Sequence, residues 1–256
     1  MKRNRWYIFL IAVVISAGSV RGNTTGDIHD NLGAEYNYLK WDCLIKGDKL
    51  ALTINASLTI YNARGEDYAF VSIAENKYVK LKKAAIRVTG PDGELVFKRS
   101  KKDLKRAVGY SAYALYSDNI HYYEELTAPL YPYTIEYEYT KETSSLFFWP
   151  AAPFQYDIPV TRAEYRLTAD PEFEFQYRWI GTNLEPTVET IGDKLVYTWA
   201  DDSIPALEEI DYLPPDSSPL RELQFCADTM RIEKYSIAGL SWTNTVSYTH
   251  LRAHET

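Results

Sequence analysis

The sequence predicts an all-β fold, a large antiparallel β-sandwich with few short helices. Tyrosine and tryptophan supply 22 and 6 of the 256 residues, an aromatic content that favours strands. Several segments alternate apolar and polar residues with a period of two, the pattern of a strand with one buried face. No segment of helical periodicity is long enough to form a helical layer.

Three segments carry the alternation most clearly. In "LALTINASLTIY" the apolar side chains fall on every second residue from Leu50 to Ile60. "YTIEYEY" begins at Tyr133 and "EFEFQYRWI" begins at Glu172, and both alternate in the same way. Each segment therefore predicts a strand that buries one face and exposes the other.

Turn residues separate the predicted strands. "GPDG" at residues 90–93 predicts a hairpin, because Pro91 fixes φ and Gly93 can adopt a positive φ. "GD" at residues 192–193 predicts a second turn. "SKKDLKRAV" (100–108) and "IPALEEI" (204–210) are the candidate short helices, and "LPPDSSPL" (213–220) is a candidate loop.

The first 22 residues are typical of a secretory signal, with a basic start followed by the apolar run "WYIFLIAVVISA". Cleavage after Gly18 or Gly22 fits the small residues there. An uncleaved anchor is the alternative, but twelve residues span only about 18 Å of a roughly 30 Å hydrocarbon core. We expect export to the periplasm, cell surface or medium, a flexible segment at 23–35 and a β-sandwich at 36–245.

The net charge of −7 becomes −11 once residues 1–22 are removed. Such an acidic chain disfavours nucleic acid and anionic lipid as partners, and we expect membrane contact only through the signal segment. Cys43 and Cys226 would meet an oxidising compartment after export. The sequence leaves open whether they form a disulfide or remain two buried thiols.

No nucleophile, metal or phosphate motif is present in the sequence, so we predict no catalytic residue, cofactor or metal site. Three acidic pairs, Glu124 with Glu125, Asp201 with Asp202, and Glu208 with Glu209, could serve hydrolysis or bind calcium. Neighbours on a strand point to opposite faces, so we expect the pairs to be solvated surface residues.

Candidate contacts with a protein or glycan ligand are Trp149, Trp179, Trp199 and His121. Exposed aromatic rings can hold sugars, whereas the row from Phe173 to Trp179 also supplies all the apolar side chains of its strand. The core is therefore the favoured place for that row.

His250 and His254 stand four residues apart, the spacing that places two imidazoles on one helical face. Residues 246–256 nevertheless resemble one translated reading frame of a sequencing-library adapter. We therefore interpret them as a tail that the gene does not encode, and we exclude the histidine pair as a metal site.

The order of several motifs resembles a known family. "KYVKLKKAAIRVTGPDGELV" is followed by "APLYPYTIEYEY", then "LFFWPAAPFQYDIPV", "IPALEEIDYLPP" and finally "GLSW". This order is similar to that of the β-rich domain of unknown function that precedes transglutaminase-like domains in exported bacterial proteins. The likeness covers roughly residues 36–242.

The resemblance implies an accessory β-sandwich without catalytic residues, followed by a transglutaminase-like or cysteine-protease-like domain with a Cys-His-Asp site. That catalytic domain is the expected partner within the same polypeptide, and the chain would then be a truncated fragment. A free-standing carbohydrate- or protein-binding β-sandwich is the second hypothesis. A hydrolase that uses the paired acids or His121 is the third.

Overall fold

A computed structural model describes residues 32–108, 119–207, 220–232 and 235–238. The all-β prediction is confirmed, with sixteen strands and three short 3₁₀ helices in these residues. The strands are β1 Ala34–Lys46, β2 Lys49–Ile60, β3 Phe70–Glu75, β4 Val79–Thr89, β5 Leu95–Ser100, β6 Lys105–Val108, β7 Ile120–Glu125, β8 Tyr133–Thr143, β9 Ala152–Pro153, β10 Val160–Ala169, β11 Phe175–Ile180, β12 Thr187–Ile191, β13 Lys194–Ile204, β14 Glu222–Ala227, β15 Met230–Ile232 and β16 Tyr235–Ile237. The helices are η1 Ala63–Tyr68, η2 Lys101–Asp103 and η3 Leu146–Phe148.

Several predicted features lie outside the described residues. They are the signal segment, most of residues 23–35, the loop 213–219, the tail 246–256, His29, His250, His254, Glu208 and Glu209. Within the described ranges, no helix has the length and apolar character needed to cross a membrane.

The largest sheet contains eight strands in the order β12-β13-β10-β1-β2-β8-β4-β5. All neighbours in it are antiparallel except β1 and β10, which run parallel. This pair is the exception to the antiparallel arrangement that the sequence predicts. A parallel pair requires a long crossover, and here the chain between β1 and β10 includes β3, β6, β7 and β9 of other sheets.

One face of the eight-stranded sheet is largely apolar. Trp41 of β1 pairs with Ile54 of β2 on one side and with Tyr165 of β10 on the other. Ile54 in turn pairs with Tyr139 of β8. Because side chains directly opposite each other share a face, the alternation predicted from residues 50–60 is matched in register across the sheet.

Two small sheets lie side by side over this apolar face. The sheet β11-β14-β9 encloses a first core that includes Leu52, Tyr165 and Phe225. The sheet β3-β7-β6 encloses a second core that includes Leu58 and Ile73. The other face of the large sheet, which we call the open face, points away from both cores.

The first core is built largely from aromatic rings. Trp199 is 0% exposed, and its ring centroid lies 5.4 Å from that of Phe225 and 6.1 Å from that of Tyr165. Phe225 also stacks on Trp149 with a centroid separation of 4.8 Å. The partly buried residues Phe173 and Trp179 pack against the same core. The predicted strand from Glu172 begins three residues later, at Phe175.

A tyrosine seam of Tyr36, Tyr137 and Tyr156 joins the two cores. Each of the three rings packs against both hydrophobic clusters. The ring centroids of Tyr36 and Tyr156 are 5.1 Å apart. Burial is the main cause that raises the pKa of all three hydroxyls, because it disfavours the phenolate.

The turns follow the sequence closely. Gly93 has a φ of 75° in the β4–β5 hairpin, and its N–H donates to the Gly90 carbonyl at 3.0 Å. Gly192 has a φ of 65° between β12 and β13. Of the two candidate helices, the first forms only the single turn Lys101–Asp103 before β6 begins. Residues 205–207 of the second are irregular.

Truncation of the central tryptophan tests the first core. We expect Trp199→Ala to lower the free energy of unfolding by about 3–5 kcal/mol, because it removes a fully buried indole and leaves a cavity. Urea denaturation followed by circular dichroism measures the change. The control Phe147→Ala removes a ring that is 54% exposed and should cost less than about 1 kcal/mol. Equal losses for the two variants would contradict this core assignment.

The tyrosine seam predicts loss of stability at alkaline pH. The seam hydroxyls have a higher pKa in the folded chain than in the unfolded chain. Their contribution is therefore fully present below about pH 10, and it falls as the pH rises further, when the unfolded chain ionises first. Urea unfolding at rising pH should show this fall in the free energy of unfolding, and the fall should be smaller in Tyr156→Phe. Tyr235→Phe, at a ring that is 63% exposed, should leave the fall unchanged.

Candidate functional site

The tryptophans predicted as ligand contacts are largely enclosed. Trp149 and Trp199 are 8% and 0% exposed, and the Trp149 indole N–H donates to the Tyr165 hydroxyl at 2.9 Å. Trp179 is partly buried, and its indole N–H donates to the Leu184 carbonyl at 2.8 Å. A ligand would reach Trp149 and Trp199 only if the first core opened.

His121 lies on β7 in the small sheet over the second core. Its Nδ1 is 3.3 Å from the Ser72 hydroxyl on the neighbouring strand β3. The ring is partly exposed. This geometry is that of a cross-strand hydrogen bond.

The acidic pairs within the described residues do not converge. Glu124 is 8% exposed and lies 3.8 Å from Arg99, whereas its neighbour Glu125 is exposed. The expectation of a solvated surface was therefore wrong for Glu124, since its side chain enters the layer between the sheets. Asp201 and Asp202 also diverge and bind different arginines.

Those arginines are Arg221, which is 2.6 Å from Asp201, and Arg162, which is 2.9 Å from Asp202. Each carboxylate is committed to its own ion pair on its own side of β13. Two carboxylates that face opposite sides of a strand cannot flank one glycosidic bond.

The cysteines are free thiols. Cys43 is buried and Cys226 is partly exposed. Burial raises the pKa of Cys43 to about 12, and it also raises the pKa of Cys226. Both thiols are therefore protonated near neutral pH, and a protonated thiol is a poor nucleophile.

The open face carries a concave surface with a volume of about 1060 Å³, which we call the cationic depression. It lies over strands β5, β4, β8, β2 and β1. Its lining residues are Tyr38, Asn55, Ala85, Ile86, Arg87, Leu95, Lys98, Arg99, Ser100, Lys102, Asp103, Glu136, Tyr137 and Glu138.

Strand register places these side chains in two rows across the sheet. In the first row Lys98, Arg87 and Glu136 are successive cross-strand partners, and the row continues through Ser57 to Tyr38. Successive strands are about 4.8 Å apart, so the side chains of one row are within reach of a single small ligand.

The second row explains why the surface is concave. Ser100, Ala85, Glu138 and Asn55 are its successive partners. Ala85 and Ser100 are small, and they lie beside the long side chains of the first row. These small side chains leave space at the surface over β4 and β5.

The charged groups of the depression differ from those elsewhere on the open face. Lys40 is 3.5 Å from Glu164, and Arg162 is 3.1 Å from the same carboxylate. In the part of the chain that the structure describes, by contrast, Arg87, Lys98 and Lys102 have no carboxylate oxygen within 4.0 Å.

The two glutamates opposite these cations likewise make no ion pair among the described residues. Glu136 and Glu138 lie close enough to Tyr38 to raise its pKa, after the larger effect of burial. The carboxylates therefore face the ring of Tyr38 and the solvent of the depression.

Sequence reasoning missed this site, although a signal was present. Residues 77–108 contain eleven lysines and arginines against three acidic residues, in a chain of net charge −7. The run "SKKDLKRAV" at residues 100–108 was interpreted only as a candidate short helix. A count of charge by segment would have located the basic region.

The depression can bind but has no assembled reaction chemistry among its described lining residues. It offers cationic donors, carboxylate acceptors, the Asn55 amide and the Tyr38 ring, which is 39% exposed. In the described ranges, no group of three His, Cys, Asp or Glu residues could hold a metal ion. The arrangement suits a polar ligand that carries negative charge and hydrogen-bond donors.

The fold is that of an all-β domain, and its open face carries a polar concave surface. The family model of the domain of unknown function with a solved structure, DUF3857, matches residues 49–208, more than half of the chain. The chain belongs to the DUF3857 family. A comparison with curated proteins finds no match.

Two solved structures align with this chain. A crystal structure from Parabacteroides distasonis, named "putative protease", is 18% identical with a TM-score of 0.66. The alignment covers 75% of this chain and 40% of that one, so this chain spans less than half of that protein. The crystal structure of Legionella pneumophila aminopeptidase A in complex with aspartic acid is 10% identical over 78% of this chain and 22% of its own, with a TM-score of 0.38.

Thiol labelling tests the cysteine environments. We expect a thiol reagent to label two free cysteines after denaturation, because the chain has no disulfide. In the native chain Cys43 should resist labelling, since it is buried and protonated. Mass spectrometry after a timed reaction measures both. Rapid native labelling of a Cys226→Ser variant would contradict the assignment.

Proposed function

We propose that the chain is the noncatalytic N-terminal β-sandwich domain of a longer exported protein with a transglutaminase-like or cysteine-protease-like domain. In this proposal the sandwich contacts a substrate or partner and positions it for the catalytic domain. The catalytic nucleophile and its His and Asp partners belong to that following domain.

The observation that carries the proposal is the fold shared with a longer protein. The Parabacteroides structure named "putative protease" aligns over 75% of this chain, and that alignment takes up 40% of the longer protein. The motif order from "KYVKLKK" to "GLSW" independently resembles the domain that precedes transglutaminase-like domains. Both similarities support a domain that works beside another.

The thiols support a noncatalytic role for the sandwich itself. A cysteine-dependent enzyme needs a thiolate, and burial keeps both cysteines protonated near neutral pH. Cys43 also lies on β1 within the first core. Export is proposed from the signal-like residues 1–22.

A free-standing binding module is the second candidate. The cationic depression favours it, because a solvated set of opposite charges with one aromatic ring can bind a ligand without any other domain. The two candidates differ in what the gene encodes after Trp242.

Sequencing the gene beyond the codon for Trp242 tests the first candidate. We expect the reading frame beyond the codon for Trp242 to encode a cysteine at a helix start, followed by a histidine and an aspartate. In that full-length protein, Cys43→Ala and Cys226→Ala should retain transamidase or peptidase activity, whereas alanine at the downstream cysteine should abolish it.

Two results would overturn the proposal. One is a stop codon directly after Trp242 in the uninterrupted gene. The other is loss of activity in a folded Cys226→Ala variant whose downstream cysteine is intact. Circular dichroism of each variant separates loss of activity from loss of fold.

A further inference from the structure

We propose that the cationic depression is a binding site for a carboxylate-bearing oligosaccharide, such as a chain of uronic acids. This inference rests on the proposed function, because it names the class of ligand that the sandwich would contact. It follows from the placement of opposite charges on the open face of the eight-stranded sheet.

The first step is the pairing of two cations across neighbouring strands. Arg87 on β4 and Lys98 on β5 are direct cross-strand partners with side chains on the same face. Like charges directly opposite each other destabilise a sheet. Among the described residues no carboxylate lies within 4.0 Å of either cation, so neither is held in an ion pair, although Glu136 is the cross-strand partner of Arg87 on its other side. An anion between the two cations would offset their mutual repulsion.

The position of Arg87 argues against a purely protective role. Lysines on edge strands discourage pairing with other chains, and Lys98 lies on the edge strand β5. Arg87 lies one strand further inside, where the edge needs no such protection. A guanidinium at this position can bind a carboxylate through two parallel hydrogen bonds.

The second step is the set of acceptors on the other side of the depression. Glu136 is the cross-strand partner of Arg87, and Glu138 is the partner of both Ala85 and Asn55. A ligand that fills the depression must supply donors to these carboxylates. Sugar hydroxyls are such donors, whereas a ligand with anionic groups alone would be repelled.

The third step is the geometry. Arg87 and Glu136 lie on adjacent strands about 4.8 Å apart, a separation comparable to that across one sugar ring. The ring of Tyr38, 39% exposed, and the amide of Asn55 line the depression next to these carboxylates. One uronic acid unit could thus place its carboxylate against Arg87 and Lys98 and its hydroxyls against the glutamates.

These steps separate the proposed ligand from other polyanions. Nucleic acids and acidic peptides both carry a dense row of negative charge, and Glu136 and Glu138 oppose it. A neutral sugar would leave the two cations without a partner. A carboxylate-bearing sugar can pair its carboxylate with the two cations and donate hydrogen bonds from its hydroxyls to the two glutamates.

Calorimetric titration of the purified chain with tetragalacturonate tests the proposal, with maltotetraose and tetraglutamate as comparison ligands. We expect saturable binding of tetragalacturonate that weakens as salt is added, and no binding of maltotetraose. Arg87→Gln and Lys98→Gln should each weaken binding by about tenfold, because each removes a charge-assisted hydrogen bond.

The matched control is Lys82→Gln. Lys82 is on the same strand β4 but pairs with Glu142 at 2.9 Å and does not line the depression. Its substitution should leave the affinity unchanged. Thermal unfolding should show that Arg87→Gln stays folded with a stability close to that of the parent chain, since the variant removes both the like-charge pair with Lys98 and the opposite-charge pair with Glu136.

Three results would overturn the assignment. They are absence of tetragalacturonate binding at millimolar concentration, tighter binding of tetraglutamate, which would indicate an acidic peptide instead, and equal weakening in Lys82→Gln. The titration uses this chain alone, so it fails or succeeds independently of what the gene encodes after Trp242.

Discussion

The burial of one apolar face by two separate small sheets is the constraint on which this domain depends. The eight-stranded sheet presents side chains such as Trp41, Ile54 and Tyr165 on a single face, and no single small sheet is wide enough to cover it. Two sheets therefore lie side by side, each over its own core. The tyrosine seam fills the junction, because a ring with a hydroxyl can pack against both cores and still reach a polar partner.

The same constraint creates the candidate site. When both small sheets occupy one face, the opposite face is left to solvent, and its residues are free to serve binding. On β1, β10 and β13 that face is neutralised by ion pairs such as those of Lys40 and Arg162 with Glu164. On β4 Lys82 also pairs with Glu142, but Arg87 on β4 and Lys98 on β5 have no carboxylate oxygen within 4.0 Å among the described residues, so unpaired positive charge remains at this end of the sheet.

In the longer protein that we propose, this domain would bind the ligand and the following domain would catalyse the reaction. Three residues with reactive side chains make contacts within the fold: Cys43 lies in a core, Glu124 beside Arg99, and His121 beside Ser72. The residues with free charge lie instead on an open, concave surface. Such a surface can hold an extended polar ligand while a neighbouring domain acts on it.

The sequence by itself determined the strands and turns, because alternation with a period of two and glycines at positive φ are local properties. The segment 50–60 and the hairpin at Gly93 are examples. Tertiary structure alone decided the parallel pairing of β1 with β10, the burial of Trp149, and the meeting of Arg87, Lys98 and Glu136. These three features depend on which distant strands become neighbours in the sheet. Local alternation shows which side chains of one strand lie on the same face, but it does not show which strand lies beside it.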